Sequence, residues 1–374
     1  MISRVLRFLA SAVTLALAVV VASGQPSRLP PIESPVVHAD RTATFTLRAP
    51  HAQKVELSGQ FLKGNRPMQK DDTGVWSITV GPVEPNLYPY NFVVDGVGVA
   101  DPANQELFPN ERFKSSLVDI PGTTPALHAV QNVPHGELTY SFYESKTLNR
   151  TRPLVIYTPP GYREGTQKYP VFYLVSGTTD TEETWFRAGR VNFILDNLIA
   201  QGKAEPMIVV MPYGNMMMGM PRPDTPEVAG MYRAFGDELL THVVPFVEAS
   251  YRVVADREHR AIAGFSRGGG QSLFTAFNHP DKFAWIASYS AYLTPEVCEK
   301  HFPEIFAQPG RTNAQLKLLW LGVGRDDFLY QQAVAFNEFV QQRGVKHQTL
   351  ITDGGHTWMN ARHYLAETLQ LFFK

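Results

Sequence analysis

The stretch AIAGFSRGGGQSLF, residues 261–274, constrains the fold of this chain more than any other. A short apolar run meets a serine set between glycines, and a helical pattern follows at once. A chain that leaves a strand and enters a helix across one residue must turn sharply, and the glycines leave room where side chains would collide with neighbouring backbone. Gly264-Phe265-Ser266-Arg267-Gly268 is therefore read as GxSxG at a strand-to-helix turn that lifts the Ser266 hydroxyl above the end of the strand.

A serine hydroxyl is a poor nucleophile near neutral pH unless a base removes its proton, so a histidine and an orienting carboxylate are expected after later strands. LLWLGVGRDDFLY places Asp326 and Asp327 directly after an apolar strand, and LITDGGHTWMN places His356 in a glycine-rich loop after the next one. The order Ser, Asp, His is that of an α/β-hydrolase. His356 is assigned as general base, and Asp327 is chosen over Asp326 as its carboxylate partner. Negative charge on the carbonyl oxygen needs backbone N–H donors. One is expected at Arg267, after the serine, and a second at Thr178, in the loop that follows the apolar run FYLVSG.

The pattern around this motif alternates strand and helix from about residue 136 to the end, which calls for a mostly parallel sheet covered by helices on both faces. Ahead of it, residues 36–122 break into short alternating segments such as RTATFTLRAP, GVWSITVG and YPYNFVVDG, bounded by Gly, Pro, Asn or Asp. They predict a small antiparallel β-sandwich. The fold class expected is thus α/β, preceded by an all-β domain. In the sandwich, Trp76, Tyr88, Tyr90 and Phe92 are read as core rather than as a sugar-stacking surface.

Residues 1–24 carry Arg4 and Arg7, then an apolar run and small residues, the outline of a secretory signal. The run is short for a membrane anchor. Residues 25–35, rich in Pro and Ser, read as a linker, so the mature protein is expected to be secreted or periplasmic, with no membrane attachment. The formal charge is −1, from 34 basic and 35 acidic residues, without a basic block, which argues against nucleic acid as partner. Cys298 has no second cysteine for an internal disulfide. No HExxH or paired metal-ligand spacing occurs, so no metal or cofactor is expected. Self-association is left open. Trp185, Met216, Met217 and Trp358 are candidates for the substrate pocket.

Taken together, YPVFYLVSGTTDTEETWFRAGRVNFILDNL, AGFSRGGGQS, GRDDFLY and GGHTWMNARHYL resemble the esterase D-like group that contains feruloyl esterases of carbohydrate esterase family 1. GVWSITVGPVEPNLYPYNFVVDGVGVADPAN is similar to the immunoglobulin-like domain, related to glycogen-binding modules, that precedes such esterases and enterochelin esterases. The resemblance implies Ser266, Asp327 and His356 as triad, with Thr178 and Arg267 as oxyanion donors. It also shows one departure, Ser176-Gly177 where the family has His-Gly. The activity it implies is release of feruloyl or acetyl groups from acylated plant carbohydrate through an acyl-enzyme. Siderophore triester hydrolysis, acyl transfer to a sugar and non-catalytic glycan binding are the alternatives; a basic pocket from Arg187, Arg190, Arg222, Arg267 and Arg362 would favour the first of these.

Overall fold

The structure, a computed structural model, describes residues 30–216 and 228–374. Residues 1–24, read from the sequence as a signal, most of residues 25–35, Met217 and Arg222 lie outside the described residues. Residues Glu33–Lys374 form one compact unit. The protein is α/β in its larger part and all-β in its N-terminal part.

Eight strands make the main sheet: β1 (Glu137–Ser145), β2 (Arg150–Thr158), β3 (Val171–Val175), β4 (Ile208–Pro212), β5 (Arg260–Phe265), β6 (Trp285–Tyr289), β7 (Leu318–Gly324) and β8 (Gln348–Thr352). Their order is β1-β2-β4-β3-β5-β6-β7-β8, with β2 antiparallel to both neighbours and the strands from β4 to β8 parallel. β3, β5 and β6 are buried along their whole length, as expected for strands with helices on both faces. Successive side chains alternate between two cores. Ile262 of β5 packs with Phe235 of helix α2 (Val228–Glu238), Phe274 of α3 (Arg267–Asn278) and Phe336 of α4 (Tyr330–Gln342). Its neighbours Ala261 and Ala263 pack with Leu195 of α1 (Val191–Ala200) and Tyr364 of α5 (Trp358–Leu369).

The N-terminal part is a sandwich of two antiparallel sheets, one led by Ala43–Arg48 and Val75–Val80, the other by Val55–Gly59, Asn86–Val94 and Ser115–Ile120. Trp76, Tyr88, Tyr90 and Phe92 are buried in its core. The second sheet also faces the hydrolase sheet's helices. Leu87, Phe108 and Leu117 pack in the same core as α1 and α5, and the buried Arg362 of α5 donates to the Asn86 side chain and to the carbonyls of Leu87 and Ala188.

Three features differ from the sequence reading. β1 was not expected as a strand, because HGELTYSFYES carries polar residues on both sides of an edge that only β2 covers. Three short helices, Pro295–His301, Pro303–Ala307 and Pro309–Gln315, each begin with Pro, which supplies the helical φ where no N–H is needed. The helical run before β5 starts at Val228 and holds a π-turn at Leu239–Val243, a detail that the strand-and-helix alternation does not specify.

Candidate active site

Ser266 sits between β5 and α3 with φ 55° and ψ −123°, outside the regions that an L-residue enters without strain. The turn is possible because the chain passes very close to itself on both sides. A Cβ at Gly264 would lie 2.4 Å from the Gly268 carbonyl carbon, and one at Gly268 would lie 2.3 Å from the Val175 oxygen of β3. The strain is held by hydrogen bonds: Ser266 N–H donates to the Tyr289 carbonyl at 2.8 Å, and its own carbonyl accepts from Gly269 and Gly270.

His356 lies in the loop between β8 and α5, and its Nδ1 faces both carboxylate oxygens of Asp327, at 2.9 and 3.1 Å. The ring packs between Phe265, at 4.6 Å between centroids, and Phe328, at 4.5 Å. Phe265 immediately precedes Ser266, so this packing holds the imidazole beside the Ser266 turn. With Nδ1 engaged, Nε2 is the nitrogen left to exchange a proton with a hydroxyl. The Asp327 side chain is fully buried; burial alone would raise its carboxyl, but hydrogen bonds from His356 and the Leu329 N–H hold it below the usual carboxylate range. Asp326 is exposed.

Opposite the serine, the loop after β3 runs Ser176-Gly177-Thr178-Thr179-Asp180. Gly177 N–H donates to Asp180 Oδ2 at 3.1 Å, and the Gly177 carbonyl accepts from the Arg267 guanidinium at 2.8 Å. Thr178 is exposed at this loop, while Arg267 opens α3, where a first-turn N–H has no acceptor inside the helix. Both backbone groups expected from the sequence are thus on loops that Arg267 ties together. Thr179 has φ 65°. Burial pushes the Asp180 carboxyl up to about 7, against the opposing pull of Arg267, the Gly177 N–H and the Asn110 amide, with Glu111 adding to the rise.

The pocket candidates fare differently. Trp185 and Trp358 are buried, with ring centroids 4.7 Å apart, and Phe108, Phe265 and Tyr289 pack around them. Met216 is also buried, in the core beneath α3. All three belong to the buried apolar cores of the hydrolase part, where large apolar side chains are commonly found. Sequence reasoning missed Asp180, Asn110, Glu111, Phe265 and Phe328. The two phenylalanines were within reach, since each directly neighbours a motif residue. Of the arginines named for a basic pocket, Arg187 pairs with Glu183, Arg190 with Glu106, Arg362 is buried, and Arg267 donates to the Gly177 carbonyl. Among the described residues no cluster of three or more metal-ligating side chains occurs, and no helix is long and apolar enough to cross a membrane.

Comparison with known proteins adds two family matches. Residues 145–372 match the family described as putative esterase, and residues 35–108 match carbohydrate-binding module 48, the isoamylase N-terminal domain. A curated endo-1,4-beta-xylanase/feruloyl esterase of Xylanibacter ruminicola is 28% identical over 93% of this chain; the chain spans 47% of that relative's length. A solved ferulic acid esterase is 27% identical, with a TM-score of 0.55, covering 63% of this chain and 97% of its own. The enterobactin esterase of Shigella flexneri, 17% identical, shares the fold over 88% of this chain and 92% of its own, at a TM-score of 0.63.

Proposed function

Since the chain belongs to the esterase family matched over residues 145–372, we propose that it is an exported serine carboxylesterase that removes feruloyl or acetyl groups from acylated plant carbohydrate. The observation that carries this reading is the His356 ring, bound at Nδ1 by the buried Asp327 and packed against Phe265, the residue before the strained Ser266.

In this mechanism His356 Nε2 takes the proton of the Ser266 hydroxyl as its oxygen attacks the ester carbonyl. The oxygen of the tetrahedral intermediate is met by the N–H groups of Thr178 and Arg267. The imidazolium, stabilised by Asp327, protonates the departing alkoxide. Water, deprotonated by the same imidazole, then cleaves the acyl-enzyme, and the acid leaves as Ser266 regains its proton. The chemistry asks for no metal or cofactor. The carbohydrate ester as substrate is supported by the named activity of the Xylanibacter ruminicola relative and by the ferulic acid esterase likeness. Among the alternatives, a ferric siderophore is strongly anionic, and among the described residues Arg187 and Arg190 are held in ion pairs and Arg362 is buried, which disfavours that substrate.

The test is initial-rate hydrolysis of methyl ferulate, p-nitrophenyl acetate and an acetylated xylo-oligosaccharide by the wild type and Ser266→Ala. Loss of at least about a thousandfold in the variant is expected, with ferulate the best substrate. Preference for the acetylated sugar would move the assignment to a deacetylase, and turnover unchanged in Ser266→Ala would remove the serine mechanism.

A further inference from the structure

The loop Gly177–Asp180 is held from two sides, and one side is not part of the hydrolase sheet. The segment Pro109–Glu111, which follows the sandwich strand Leu107–Phe108, lies alongside it, with Asn110 and Asp180 forming an isolated antiparallel bridge. Glu111 N–H donates to the Thr179 carbonyl at 2.7 Å, and Asn110 Nδ2 donates to Thr179 Oγ1 at 2.9 Å and lies 3.5 Å from Asp180 Oδ1. Thr184 Oγ1 donates to the Pro109 carbonyl at 3.2 Å. The Glu111 carboxylate is itself fixed, accepting from Tyr213 OH at 2.6 Å and from the Asn215 amide at 2.7 Å. Asn110 and Asp180 are both buried.

Thr179 is β-branched and left-handed, a conformation that persists only where the surroundings over-determine it. Its carbonyl and hydroxyl are taken by Glu111 and Asn110, while the Gly177 N–H is taken by Asp180. Thr178, the donor assigned above, is therefore pinned on both flanks. We propose that Asp180 and Asn110 are positioning residues for the oxyanion loop, so that the N-terminal sandwich, through Asn110 and Glu111, is a working part of the ester-cleaving site. This rests on the esterase reading and goes beyond it, because it gives the sandwich a role in turnover independent of any glycan.

The groups facing the Asp180 carboxyl are the Gly177 N–H, the Asn110 amide, the Arg267 guanidinium and the Glu111 carboxylate. With its carboxyl near 7, Asp180 carries its charge fully only above that pH. The permanently neutral Asp180→Asn should then show its largest rate deficit above pH 7, and the deficit should shrink as acid neutralises the wild-type carboxyl.

The experiment uses the full chain with p-nitrophenyl acetate, comparing wild type, Asn110→Ala, the nearly isosteric Asp180→Asn, and Ser266→Ala as background. For both positioning variants kcat is expected to fall about tenfold or more with KM changed less than about twofold. Amide hydrogen exchange should quicken at residues 177–180 and stay unchanged at β3. A folded Asn110→Ala or Asp180→Asn with wild-type kcat and wild-type exchange in the loop would overturn the inference alone, as would a deficit in Asp180→Asn that does not vary with pH. Wild-type protein that hydrolyses no ester, or a Ser266→Ala variant as active as wild type, would overturn the esterase reading and this inference with it.

Discussion

At the scale of single residues, burial separates neighbours that sequence alone treats as equivalents. Asp326 and Asp327 share a turn, a charge and a strand, yet one is exposed and the other is sealed beneath the His356 ring. A buried carboxylate without partners would take up a proton; Asp327 keeps its charge because the imidazole and the Leu329 N–H stabilise the ionised form. Asp327→Asn is accordingly expected to lower kcat by about 10³–10⁴-fold, since an amide facing Nδ1 favours the wrong tautomer. Asp326→Asn should stay within roughly twofold of wild type, as exposed substitutions generally perturb little. Parallel kinetics on the two variants checks both expectations. The sequence reading already chose Asp327, and the turn's direction into the core gives the physical reason for that choice.

At the scale of elements, the β5-Ser266-α3 turn is the feature that local sequence specifies most fully. Its glycines are needed for close approach, not for a left-handed φ: a methyl group at Gly268 meets the Val175 and Ser176 oxygens at 2.3 and 2.6 Å. Gly268→Ala should therefore force α3 away from β3, destabilising the fold by at least about 1–3 kcal/mol and abolishing turnover. Gly310→Ala is the matched control, because nothing lies within 4 Å of its added Cβ. It should fold at least as well as wild type, which urea denaturation of the two variants measures. Elements without such a local imperative were harder to read. β1 owes its strand conformation to the long antiparallel pairing with β2 rather than to its own alternation, and the Pro-initiated helices between β6 and β7 are too short for a periodic pattern to stand out.

At the scale of the whole molecule, sandwich and hydrolase behave as one body. Leu87, Phe108 and Leu117 share a core with Trp185 and Trp358, and the buried Arg362 crosses from α5 to the sandwich strand Asn86–Val94. Burial pulls its guanidinium down to about 9, and its hydrogen bonds to carbonyls are what make that burial tolerable. Calorimetry should thus show a single unfolding transition for residues 33–374. Arg362→Ala, which leaves the Leu87 and Ala188 carbonyls without this donor, should cost about 1–3 kcal/mol per group and lower the midpoint. Two separated transitions in the wild type would contradict the shared core. By itself, the sequence determined the alternating strand and helix order, the serine turn, and the chain order of Ser266, Asp327 and His356, because each depends on spacing and steric rules within a few residues. Only the tertiary structure decided how Asp327 is sealed beneath His356, that Trp185, Trp358 and Met216 are core, and that Asn110 reaches the loop at Thr179. Those outcomes depend on contacts between residues tens of positions or more apart, where burial and hydrogen-bond satisfaction in three dimensions, not local pattern, set the energy.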